Sequence, residues 1–239
     1  MVRQKRVYIS GLMISALLAT AGCSGQSDEQ APGVGDAKPS SIPSGASGGA
    51  AGADGTLPGM PTAEQARTEL AGLKAAPHGS MSGYSRDKFS HWAEQGRNCN
   101  TRETVLERDG TNVQRDDQCR PVSGTWVSVY DDKRFDDASG LDIDHTVPLA
   151  NAWRSGANTW TQEKRKAFAN DLTHPQLLAV SAASNRSKGD QGPDEWQPPS
   201  KTYWCAYARA WTSVKSTYEL SVTVAEKAML VRMLDTCSS

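Results

Sequence analysis

Asp144 and His145 stand side by side near the end of a short run, Leu141 to Val147, with Asp142 two positions earlier; further along the chain Asn185, Arg186 and Lys188 fall within four residues of one another. A histidine, with an ordinary pKa near ~6.5, is the natural proton acceptor at neutral pH. The carboxylate of Asp144 and the side-chain carbonyl of Asn185 are hard oxygen donors, which suit Mg²⁺, Mn²⁺ or Ca²⁺ better than a thiol-seeking metal. Two such ligands leave coordination positions open for water and phosphate. Arg186 and Lys188 add cations near an expected helix start, where free backbone N–H groups also favour an anion. A base, an oxygen-seeking cation and phosphate-gripping cations are together what hydrolysis of a phosphodiester requires. The cofactor this implies is one divalent metal, Mg²⁺ first and Mn²⁺ as the alternative. The plainer reading of His145 is a strand histidine satisfied by a backbone carbonyl. Asp142 is read as a turn cap or as a brace for His145 from behind the site.

The elements that must carry these residues can be read from periodicity. Leu141 to Val147 reads as a strand, and Thr125 to Tyr130 alternates in strand period just before it, so the two are expected to pair antiparallel with Asp144 and His145 at the end. Leu177 to Val180 is a short apolar strand. Ala182 to Lys188 follows as the helix of the site, and Gly189 stops it. Between them, Pro148 to Arg154 predicts one or two helical turns and Thr161 to Asn170 a longer basic helix.

Elsewhere Thr62 and Gln65 form a capping-box pattern opening a helix whose Ala66, Leu70 and Leu73 share a face. Tyr84, Phe89 and Trp92 supply aromatic anchors, and Thr101 to Arg108 reads as a helix bounded by Asp109 and Gly110. Two helices close the chain. One runs from Lys201 to about Tyr218, with Trp204, Tyr207 and Trp211 read as core. The other is capped by Thr223 and Glu226 and reaches Leu234. No internal repeat is present.

The first quarter reads differently. Arg3, Lys5 and Arg6 precede the apolar run Val7 to Ala19, followed by small residues and Cys23, the pattern of an export signal over residues 1–22. It resembles a bacterial lipoprotein signal in which Cys23 is the lipidated first residue, with Thr20 where that pattern usually has Leu; ordinary signal cleavage is the alternative. Residues 23–61 are rich in Gly, Ser, Ala and Pro and read as a disordered tether, leaving 62–239 as the folded domain with its core at about 84–237. Of 26 Lys+Arg, three lie in the signal, so the mature chain carries 23 against 27 Asp+Glu, net −4. That balance excludes a whole-surface basic footprint. Residues 151–190 nevertheless hold six basic against three acidic side chains, which suits loose phosphate contact rather than tight sequence-specific binding. With Cys23 assigned to the signal, four of the five cysteines remain, an even number in an exported chain. Of three possible connectivities, Cys99 with Cys119 and Cys205 with Cys237 is favoured because each pair closes within one local unit.

The run Asp142-Ile143-Asp144-His145, followed by Asn185 to Gly189, resembles the HNH endonucleases, whose ββα-metal fold wraps one divalent cation. It resembles the C-terminal nuclease domain of GmrSD-type restriction enzymes and exported bacterial relatives, and the HNH domain of RNA-guided CRISPR nucleases is similar at both motifs. The resemblance covers about residues 84–237. It implies an α+β fold with a ββα-metal core of short antiparallel strands and additional helices, stapled by disulfides. Residue by residue, it implies His145 as general base, Asp144 and Asn185 as metal ligands, and a middle residue whose backbone orients the base. Counting back nine residues from Asn185 assigns that role to Gln176, where the family usually has Asn; Asn170 and His174 are the other candidates. The function implied is an exported metal-dependent endonuclease acting on DNA, or RNA, with little sequence preference. It would meet the membrane only through a lipid anchor at Cys23, on the outer face of the cell or secreted, and no protein partner is expected. The competing function is a non-catalytic surface lipoprotein of the same fold that binds nucleic acid or another polyanion.

Overall fold

A computed structural model of the chain describes residues 57–238. The signal, Cys23 and nearly all of the expected tether lie outside the described residues. Packed structure starts before residue 62, because Leu57 is buried in the main core and Arg209 donates to the Pro61 carbonyl. The tether therefore ends earlier than composition suggested: Leu57 is buried and Met60 packs beside it, which fixes the turn between them.

Helix α1 (Ala63–Gly72) opens with the expected reciprocal cap between Thr62 and Gln65 and buries Ala66 and Leu70 against the C-terminal helices. A 3₁₀ turn (Arg86–Phe89), capped by the Ser85 hydroxyl, leads into the hairpin β1 (Glu94–Gly96) and β2 (Cys99–Asn100). Helix α2 (Thr101–Asp109) has a second capping box, Asn100 with Glu103. Strands β3 (Thr111–Arg115), β4 (Pro121–Ser128) and β5 (Lys133–Phe135) form an antiparallel sheet in that order.

Next come β6 (Leu141–His145), α3 (Leu149–Arg154), α4 (Gln162–Ala169), β7 (Leu177–Ser181) and α5 (Ala182–Lys188). The partner of β6 is β7, antiparallel with Ile143 opposite Ala179 and His145 opposite Leu177, and not the strand that precedes it in sequence. Strand β4 satisfies its edges with β3 and β5 instead. The pairing of β6 with β7 brings the Asp144 and Asn185 motifs into one ββα unit, with α3 and α4 inserted between its strands.

A 3₁₀ turn (Lys201–Tyr203), α6 (Trp204–Thr217) and α7 (Val224–Leu234) complete the chain, the last capped by Thr223 and Glu226 as expected. Tyr207 and Trp211 are core residues. Both favoured disulfides are present. Cys99–Cys119 ties the start of α2 to the β3–β4 turn, and Cys205–Cys237 ties α6 to the tail beyond α7. Among the described residues no helix is long and apolar enough to cross a membrane.

Candidate active site

Alternate residues of a strand face opposite ways. Leu141 and Ile143 turn into a small apolar cluster with Val105, Leu106 and Trp126, while Asp142 and Asp144 turn towards α5. That helix leaves β7 without a loop. Ser181, the last strand residue, is its N-cap, and the hydroxyls of Ser181 and Ser184 donate to Asp131 Oδ2 at 2.7 and 2.9 Å. Gly189, at φ +56°, supplies the left-handed residue that ends the helix. Residues three apart share a helix face, so Asn185 and Lys188 meet the two aspartates in turn. Asn185 Nδ2 donates to Asp142 Oδ2 at 3.1 Å, and Lys188 Nζ to Asp144 Oδ2 at 2.7 Å.

Lys188 corrects one expectation. Its side chain is fully buried, and Nζ donates also to the carbonyls of His145 at 2.9 Å and Thr146 at 3.1 Å, which uses all three ammonium protons. It lies 5.7 Å from the Trp211 ring centre. Burial lowers its pKa and the Asp144 carboxylate opposes that shift. Lys188 is a strut beneath Asp144 and is closed to phosphate. Arg186, between the two inward residues of the helix, stays in solvent with Nε 3.8 Å from Asp142 Oδ2.

Asp144 Oδ2 also accepts from the Tyr130 hydroxyl at 2.6 Å. Burial, and then the Asp144 charge, pushes that phenol well above its ordinary pKa, so it remains a donor. One oxygen of Asp144 is thus doubly engaged, whereas Oδ1 has no hydrogen-bond partner among the described residues. The same holds for Oδ1 of Asn185.

His145 Nε2 lies 3.0 Å from the Ala169 carbonyl, which assigns it the proton and leaves Nδ1 as the ring nitrogen with a free lone pair. Nδ1 has no protein partner among the described residues. Burial lowers the pKa to about 3, partly offset by the Ala169 bond, so the imidazole is neutral at neutral pH. The Trp92 ring lies 5.9 Å away at 31°, held there by a backbone at φ +62°.

The residue that orients the ring is therefore Ala169. Gln176 does not do so: its carbonyl accepts from Thr146 N, and its side chain bonds both backbone groups of Val147, which locks the chain leaving β6. His174 pairs with Asp171 at 2.7 Å, away from the His145 ring. Asn170 does bear on the base indirectly. It accepts from Ala93 N and Thr101 Oγ1 and donates to the carbonyls of Ser90 and Lys166, and so fixes the segment carrying the Ala169 carbonyl.

Asp144, His145 and Asn185 line one cleft, together with Leu149, Gly189 and Asp190. Tyr84 and Arg86, for which sequence reasoning assigned no chemistry, line the same cleft. Nothing in the sequence near Arg86 signals this, because the placement arises from the 3₁₀ turn packing beside α4. Among the described residues no group of three or more His, Cys, Asp or Glu side chains is placed to hold a metal ion. The two unengaged oxygens of Asp144 and Asn185 are the donors the cleft offers, and both are of the hard kind that Mg²⁺ and Mn²⁺ prefer.

Residues 97–233 match the family model of the GmrSD restriction endonucleases, C-terminal domain, a span of more than half the chain. The chain belongs to this family. The matched span contains β6, β7, α5 and every residue of the Asp144–His145–Asn185 group, whereas Tyr84, Arg86 and Trp92 precede it. An uncharacterized secreted protein of Arthroderma benhamiae is 56% identical over 182 residues, covering 76% of this chain and 89% of its own length. No solved structure matches the chain.

Proposed function

We propose that the protein is an exported, metal-dependent endonuclease that hydrolyses phosphodiester bonds of DNA with little sequence preference, His145 acting as general base. The observation that carries this reading is the junction of β6, β7 and α5. There Asp144, His145 and Asn185 line one cleft, and between them they carry a lone-pair nitrogen on a neutral imidazole and two unengaged hard oxygens, in a chain of the GmrSD restriction endonuclease C-terminal family.

His145 Nδ1 would take the proton from the attacking water, and the Ala169 carbonyl would steady the imidazolium that results. Asp144 Oδ1 and Asn185 Oδ1 would hold one divalent cation, Mg²⁺ by preference. Held by these two residues, such a cation would supply Lewis-acid stabilisation of charge on the phosphoryl group. Lys188 and Tyr130 keep the Asp144 carboxylate from rotating by fixing its other oxygen. Asp142 holds the Asn185 amide so that its oxygen, and not its nitrogen, is the free end. Arg186 is the exposed cation on α5 that could reach a flanking phosphate.

Export is supported by the signal-like first 22 residues, by two disulfides, and by the secreted relative of Arthroderma benhamiae. Attachment through a lipid on Cys23 is part of the same proposal. The test is digestion of supercoiled plasmid, and in parallel of structured RNA, by the purified mature protein. Cleavage is expected with added Mg²⁺ or Mn²⁺ and is lost in EDTA. Undiminished cleavage in excess EDTA would remove Asp144 and Asn185 from the ligand role.

A further inference from the structure

With Lys188 sealed under Asp144, the cleft lacks the cation that sequence alone placed there, and the other basic side chains nearby are mostly committed. Arg154 is paired with Asp190 on the cleft wall, and Arg165 donates to the carbonyls of Lys88, Ala157 and Trp160. Arg86 is different. It lines the cleft with Asp144, His145 and Asn185, is exposed, and its guanidinium has no ion pair or hydrogen bond among the described residues. Its charge reaches both His145 and His91, disfavouring the protonated form of each.

The segment that carries Arg86 is anchored although the side chain is not. Ser85 caps the turn, and Phe89 is fully buried against Trp153 and Phe168. Tyr84 meets the Trp153 ring edge-on at 5.8 Å. A cation on a rigid support, aimed into a cleft and left without a carboxylate in a net-acidic chain, is a poor stabiliser of the fold but a good anion contact. An arginine simply solvated at the surface would need neither the buried anchor nor a place on the cleft wall.

We propose that Arg86 grips the phosphate backbone of the substrate beside His145, so that the 3₁₀ turn ahead of the family-matched span completes the nucleic-acid site. This rests on the nuclease reading above and assigns to that site its phosphate contact. Of the two exposed arginines near the site, Arg86 lines the cleft itself, whereas Arg186 lies beside Asp142 on the solvent side of α5.

The experiment uses the mature protein and its Arg86→Gln and Arg86→Lys variants. Binding to a duplex of about 20 base pairs is followed by fluorescence anisotropy in Mg²⁺ over a range of NaCl concentrations, in a His145→Ala background that suspends cleavage. Arg86→Gln is expected to make the plot of log affinity against log salt shallower by about 0.9, equally for unrelated sequences. Arg86→Lys keeps the slope. In the active background kcat/KM for plasmid falls on the order of 10²-fold in Arg86→Gln, with partial recovery in Arg86→Lys, which cannot form the bidentate contact. Thermal unfolding stays at the parent value, because no bond of the fold is removed. A parent that cleaves while Arg86→Gln keeps the same salt slope and rate overturns the Arg86 assignment and leaves the nuclease reading intact. A parent that neither binds nor cleaves DNA or RNA overturns both.

Discussion

Burial of His145 makes a quantitative demand on stability. The folded imidazole protonates at about 3 against an ordinary value of 6.5, because it would have to carry charge in a site that is 4% exposed. Between those values the unfolded chain binds a proton that the native one refuses, so stability falls as pH falls through that window. At pH 4.5, two units below the ordinary value and above the folded one, the loss relative to neutral pH is roughly 2–3 kcal/mol, taking about 1.4 kcal/mol per unit. His78 and His91 are also lowered, mainly by burial, and add to the acid sensitivity of the parent. The His145 share is therefore the difference between parent and His145→Gln, whose amide can still donate to Ala169 but does not titrate. Urea unfolding in EDTA at pH 7 and pH 4.5 measures it. The stability lost between those pH values is expected to be smaller in His145→Gln by roughly 2–3 kcal/mol. Identical losses in the two proteins would mean that the ring protonates in the native state as it does in water, and the buried neutral base would be abandoned.

Two further substitutions separate support from chemistry. Lys188→Met leaves Asp144 buried without its counter-ion and orphans two carbonyls, so stability drops by about 3–5 kcal/mol; calorimetry showing a parent-like melting temperature would return Lys188 to the role of a free surface cation. Asn170→Ala removes four hydrogen bonds around the Ala169 carbonyl. It is expected to cost about 2 kcal/mol or more and, well below the melting temperature, to slow cleavage on the order of tenfold with binding unchanged; an unchanged kcat would detach that segment from the base.

Local signals were legible in the sequence. The capping pairs at Thr62 and Thr223, the apolar strands ending at His145 and Ser181, the Gly189 stop and the two nearby cysteine pairs all depend on neighbours in the chain or on burial patterns with a short period. What failed was set by distant partners. The pairing of β6 was assigned to the preceding strand because adjacency is the usual rule, whereas β7 lies beyond two inserted helices. Lys188 read as a phosphate contact because its partner, Asp144, lies 44 residues away. A cue did exist: Asn185 and Lys188 share a helix face, so an inward Asn185 implies an inward Lys188 and leaves only Arg186 outside. The carbonyl holding His145 could not be found by counting residues, since the insertion between the strands has its own length and Ala169 offers only a backbone atom. Leu57, lying in a small-residue segment, gave no periodic warning that it packs into the core.

The most direct test of the central claim compares Mg²⁺-dependent plasmid cleavage by the parent and by His145→Ala, purified alike. If His145 Nδ1 is the base, cleavage falls by about 10² to 10⁴ while DNA binding is retained, and raising the metal concentration does not restore it. Cleavage by His145→Ala at the parent rate would contradict the account.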